Sequence, residues 1–126
     1  MRAGIDLLPD DRQQLWLDRL TEAETKPPST FAPNGWTVTA LQAAWASIHA
    51  TRDLNGEEHV EAALQTAIAI GSDTDTVAAI AGALLGACYG LAGLPRGYVD
   101  AVHGLPGGIR APELIDMALR TATAGV

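Results

Sequence analysis

Apolar residues recur along this chain at helical spacing, and no segment shows the alternation of a strand bounded by turn residues. From Asp10 to Glu24, Trp16, Leu20 and Ala23 fall on one side with charged residues between them, which predicts an amphipathic helix. Thr25 to Pro33 contains Lys26-Pro27-Pro28-Ser29-Thr30, which cannot continue it, because proline lacks the amide proton and clashes with the preceding turn. Val38, Leu41, Trp45 and Ile48 predict a second helix from Thr37 to Thr51. The chain then turns from Arg52 to Gly56. Asn55 is a good N-cap, and Glu58 completes a capping-box pattern. The third helix runs to Ile70 with Val60, Leu64 and Ile68 on one face.

Gly71 and Ser72 break the chain ahead of its longest apolar run, the eighteen uncharged residues from Val77 to Leu94. A helix from Thr74 to Leu91 is predicted there, stopped by Gly93-Leu94-Pro95. A short helix over Pro95 to His103, a loop at Leu105-Pro106-Gly107-Gly108, and a last helix opened by Pro112 and reaching Thr123 complete the chain. The predicted fold class is all-α, a helical bundle in a single domain over residues 1–126, without internal repeats. The apolar run is just long enough to raise a membrane span, and Gly82, Gly86 and Gly90 repeat the spacing of membrane helix pairs. Its Ala and Gly content makes transfer into lipid weakly favourable, and no basic flank marks an inner side. It reads better as the central helix of a bundle, its glycines admitting close neighbours.

Composition narrows the picture. Aromatic residues make up only 5% of the chain against 48% hydrophobic, so the core must be built from Ala, Leu, Ile and Val. The net charge is −7, and the eight basic residues are scattered singly from Arg2 to Arg120. Duplex binding clusters its cations to neutralise phosphates, so no nucleic-acid duplex is expected as a partner. One cysteine, Cys88, cannot form an internal disulfide, and no zinc spacing of Cys and His exists, which points to a reducing, cytoplasmic compartment. Met1 to Pro9 lacks the layout of a signal peptide. Cys88 reads as a small buried residue. His59, among Glu57, Glu58 and Glu61, reads as solvated, and His103 as lying near a helix C-terminus. His49, His59 and His103 share no metal spacing. Trp16 and Trp45 read as packing residues.

The chemistry concentrates at Gly71-Ser72-Asp73-Thr74-Asp75-Thr76, where carboxylates and hydroxyls crowd at the head of the apolar helix. Two readings stay open on the residues alone. Ser72 and Asp75 match a capping box, and acids suit the first turn of a helix. A cap, however, needs one or two side chains, and Asp73 and Asp75 would repel each other if buried without a counter-ion. Hard oxygen ligands of this kind suit Mg²⁺ or a similar divalent ion. An EF-hand is excluded, since a loop starting at Asp73 would need Gly at Ala78, Glu at Leu84 and an oxygen ligand at Val77.

The segment from Gly71 through Asp73-Thr74-Asp75-Thr76 to Gly82 and Ala87 resembles the C-terminal metal motif of the ADP-ribosylglycohydrolase family, which includes dinitrogenase-reductase-activating and ADP-ribosylarginine hydrolase-like enzymes. Asn34-Gly35-Trp36-Thr37-Val38 resembles the family's preceding segment, and Leu94-Pro95 and Val102-His103-Gly104 resemble its tail. The resemblance covers roughly residues 30 to 122. It implies the C-terminal part of an all-α fold with a binuclear Mg²⁺ or Mn²⁺ centre. It further implies hydrolysis of the glycosidic bond between ADP-ribose and a protein or small-molecule acceptor. Carried over by position, Asp73, Asp75 and Thr76 match metal ligands, with Asp75 bridging the ions. Trp36, on a loop, is placed to meet the adenosine of such a ligand. The family's Gly-Asp and Thr-Asp-Asp motifs are absent, as is its acidic catalytic residue; the only Asp pair, Asp10-Asp11, follows Pro9 instead of Thr. The resemblance is therefore to a C-terminal half, which implies a separate N-terminal half or a homo-oligomer to complete the site. A non-catalytic helical interaction module is the alternative, because half a bundle leaves an apolar face for a partner.

Overall fold

The computed structural model describes residues 1–104 and 107–125. It runs α1 (Arg2–Ile5), α2 (Asp10–Thr25), a first 3-10 turn (Pro28–Phe31), α3 (Thr37–Ala50), α4 (Gly56–Ala69), α5 (Thr74–Tyr89), a second 3-10 turn (Leu91–Gly93), α6 (Arg96–Ala101) and α7 (Ala111–Ala124). Among the described residues there is no strand, only an isolated bridge between His103 and Arg110. The chain is all-α, as the spacing predicts. No described helix is long and apolar enough to cross a membrane. Of the predicted loop at 105–108, Leu105 and Pro106 lie outside the described residues, and Gly107 and Gly108 form a turn. The chain divides into two compact units, Met1–Gly93 and the part from Leu94 onward.

The centre of the first unit is α3, which packs against α2, α4, α5 and the first 3-10 turn. It buries Ala40, Gln42, Ala43, Ala44, Ala46, Ser47 and Ile48. A helix covered on several sides needs small side chains so that neighbouring backbones can approach. The larger Val38, Leu41 and Trp45 of the predicted stripe are therefore only half-buried, at the seams. The buried polar groups are satisfied locally. Ser47 donates to the Ala43 carbonyl at 2.8 Å, and Gln42 Nε2 donates to the Arg19 carbonyl at 3.1 Å and to Glu22 Oε2 at 3.0 Å. Leu20 and Ala23 of α2 are buried, as their spacing predicts.

The expectation that the Gly- and Ala-rich helix is central is corrected. α5 packs on α3 and α4 and buries only Val77, Ala81 and Leu85, while Ala79, Ala83 and Ala87 are exposed. Its glycines do not answer to close neighbours. A Cβ at Gly86 would meet open space, and one at Gly82 would make an ordinary 3.7 Å contact with Leu64. Cys88 is exposed, because the buried residues of α5 end at Leu85. The helix stops at Tyr89, where Gly90 takes φ 65°, before Leu91 is reached.

α4 is turned differently from its predicted face. It buries His59, Val60, Ala63 and Ala67, and leaves Ile68 55% exposed. His59, expected in solvent among glutamates, is inside. Its Nε2 donates to the Ile48 carbonyl at 3.0 Å, and Nδ1 then accepts from the Tyr89 hydroxyl at 2.8 Å. One buried ring thereby joins α4 to the ends of α3 and α5. Asn55 is the N-cap of α4, but its side chain makes no capping bond.

In the second unit, α7 begins at Ala111, one residue before Pro112. Glu113 Oε2 accepts from the Arg110 amide at 3.0 Å and closes its first turn. No residue of α7 is buried, and Leu114, Met117 and Leu119 are exposed.

A candidate metal centre at the head of α5

Between α4 and α5 the backbone passes through two consecutive left-handed residues, Gly71 at φ 82° and Ser72 at φ 65°. Glycine adopts this conformation freely, whereas serine is strained by its Cβ. The chain then enters α5 with Asp73, and not Ser72, as the N-cap. The Asp73 side chain makes no capping hydrogen bond. The capping-box reading of Ser72 and Asp75 therefore does not describe this turn.

Asn34 holds the turn instead. It is fully buried, its Nδ2 donates to the Gly71 carbonyl at 3.1 Å, and its Oδ1 accepts from the Asp73 amide at 2.8 Å. One bond needs a donor and the other an acceptor, so the pair sets the orientation of the side-chain amide. Sequence reading placed Asn34 only within a family-like segment. Its only local signal, an Asn-Gly pair after proline, reads as an ordinary turn.

The three predicted ligands lie at the N-cap and in the first turn of α5. Asp73 is half-buried, and Asp75 and Thr76 are exposed. Neither carboxyl is fully buried, so the cost expected of two buried carboxylates is not incurred. The Asp73 side chain, followed by the backbone N–H groups of Asp75 and Thr76, holds the Asp75 carboxyl below its ordinary value. Among the described residues no three His, Cys, Asp or Glu side chains gather to enclose a metal ion. The local donor set is two carboxylates and one hydroxyl.

Trp36 stands two residues beyond Asn34, at the N-cap of α3, and is 61% exposed. The Arg19 guanidinium lies 5.4 Å from the ring centroids of both Trp16 and Trp36, a cation–π arrangement. The Asn34 hydrogen bonds bring the Trp36 segment to the acidic turn.

Comparison with curated proteins and with solved structures finds no match. The family model described as ADP-ribosylglycohydrolase matches residues 1–125, a wider span than the motifs around the acidic turn cover. With an all-α fold and Asp73-Thr74-Asp75-Thr76 opening a Gly- and Ala-rich helix, this chain belongs to the ADP-ribosylglycohydrolase family.

Proposed function

We propose that this chain takes part, in the cytoplasm, in metal-dependent hydrolysis of the glycosidic bond between ADP-ribose and a protein or small-molecule acceptor. The observation that carries the reading is the acidic turn of a family member in which the N-cap carboxylate is not used as a cap. Asp73, Asp75 and Thr76 offer hard oxygen atoms on the solvent side of the turn, which fits one side of a Mg²⁺ or Mn²⁺ coordination shell. Asp75 is the residue we assign to bridging two ions, were they bound. A divalent ion bound there supplies a Lewis acid for ribose hydroxyls and water. The exposed Trp36 ring, backed by Arg19, offers a flat face to the adenine of the ligand. Two carboxylates and a hydroxyl are half of a binuclear ligand set, and we infer that a separate N-terminal half or a second copy supplies the others.

Calorimetry with Mn²⁺ tests this. Wild type is expected to release a weak binding heat, larger with an N-terminal half supplied, and Asp75→Ala to lose it. Absent heats for both proteins, with the N-terminal half present, would sink the metal assignment.

A second reading, a non-catalytic interaction module, draws on the exposed Leu114, Met117 and Leu119 of α7 and the uncovered alanines of α5. Sedimentation separates the two readings. A monomer at all concentrations that binds Mn²⁺ favours the enzyme; self-association without Mn²⁺ binding favours the module.

A further inference from the structure

We infer that Asn34 is the positioning residue of the acidic turn: it tethers the backbone that an N-cap side chain ordinarily tethers, so that the Asp73 carboxyl is not committed to capping and faces its ligand partners, Asp75 and Thr76. The ligand half of this inference rests on the metal reading above; the tether stands on geometry alone. An N-cap aspartate ordinarily accepts a hydrogen bond from the first turn of its own helix, and its carboxylate is then committed. Asp73 makes no such bond. The turn is otherwise held only at its edges, by the Gly71 amide on the Ile68 carbonyl at 3.1 Å and the Val77 amide on the Asp73 carbonyl at 3.2 Å. Between those edges lie the left-handed Gly71 and Ser72, and a non-glycine residue persists there only when its surroundings hold it.

Of the backbone groups between those edges, Asn34 binds the Gly71 carbonyl and the Asp73 amide, on either side of Ser72. Asn34 is 0% exposed, so no water competes for its side-chain amide. The tether comes from a segment 39 positions earlier, which makes the geometry of the turn a property of the folded unit. Aspartate in its place would keep the acceptor for the Asp73 amide, but would set an oxygen against the Gly71 carbonyl. Alanine would leave both backbone groups without this partner.

Amide hydrogen exchange and Mn²⁺ binding on the 126-residue chain test the inference. In wild type the Asp73 amide is expected to exchange slowly although it precedes the helix. Asn34→Ala should speed exchange at Asp73 and through the first turn of α5 by about tenfold, the worth of a lost hydrogen bond, with Asn34→Asp in between. A Val60→Ala variant, destabilised in the core, serves as the control. Mn²⁺ affinity, read by electron paramagnetic resonance, should fall about tenfold in Asn34→Ala and stay within about twofold in the control. An unprotected Asp73 amide in wild type overturns the tether, and that measurement stands even if the variant does not fold. Equal loss of Mn²⁺ affinity in Asn34→Ala and Val60→Ala overturns the positioning role. No Mn²⁺ binding by wild type overturns the metal reading and the ligand half with it, while exchange still decides the tether.

Discussion

α3 and α5 look alike in composition and differ in what surrounds them. Both lack charge over most of their length, and both are rich in alanine. Yet α3 buries seven of its 14 residues and α5 only three of its 16. The difference is one of neighbours. α3 is covered by α2, α4, α5 and a 3-10 turn, so even its polar Gln42 and Ser47 lie inside with partners. α5 rests on α3 and α4 and buries fully only Val77, Ala81 and Leu85, and its head carries the acidic turn toward solvent. A long apolar helix is therefore not by that fact the centre of a bundle. Here it presents the candidate site.

The sharpest way to break this comparison is to enlarge one alanine on each helix. Ala43→Leu puts extra volume where α3 has no exposed surface, and should cost about 3 kcal/mol or prevent folding. Ala83→Leu adds the same atoms on the exposed side of α5 and should change stability by less than about 0.5 kcal/mol. Thermal or urea melts decide it, and equal losses would mean that α5 is covered after all.

The next effect is at the joint between the two helices. His59→Ala removes the hydrogen bonds to Ile48 and Tyr89 along with the buried ring, and should cost about 2 kcal/mol. A histidine on a solvated face would cost almost nothing, so a urea midpoint shift tests the placement directly.

The smallest effect concerns the seam between α2 and α3. Burial pushes the Glu24 carboxyl up, but hydrogen bonds from Arg2 and from Trp45 Nε1 outweigh it and leave it below its ordinary value. Glu22 is lowered by Lys26 and then by Gln42. A carboxyl with a lowered folded pKa binds fewer protons folded than unfolded. Its contribution is therefore complete above the ordinary value of 4.5 and fades as pH falls through the folded value. Stability should decline gently below about pH 4.5, by less than about 1 kcal/mol, and Glu24→Gln should flatten that decline.

Much of this was legible in the residues. Apolar residues three and four apart marked α2, α3 and α4, and glycine and proline marked their ends. The Asp-Thr-Asp-Thr string marked the candidate ligands and the family. Three placements were not legible. His59 precedes Val60 on a face where small residues allow an inward ring, while its sequence neighbours Glu57, Glu58 and Glu61 are exposed. Cys88 shares the apolar character of α5 but lies beyond Leu85, the last fully buried residue of that helix. Asn34 sits in an ordinary-looking turn, and its partners stand far along the chain.

Local spacing, turn chemistry and a short acidic string are enough to determine an all-α chain with ligand-type oxygens at one helix head, because each depends on residues within a few positions of one another. Which helix is surrounded, which histidine is buried and which asparagine tethers the acidic turn depend on contacts between segments tens of residues apart. Those contacts exist only once the helices pack, so tertiary structure alone decided them.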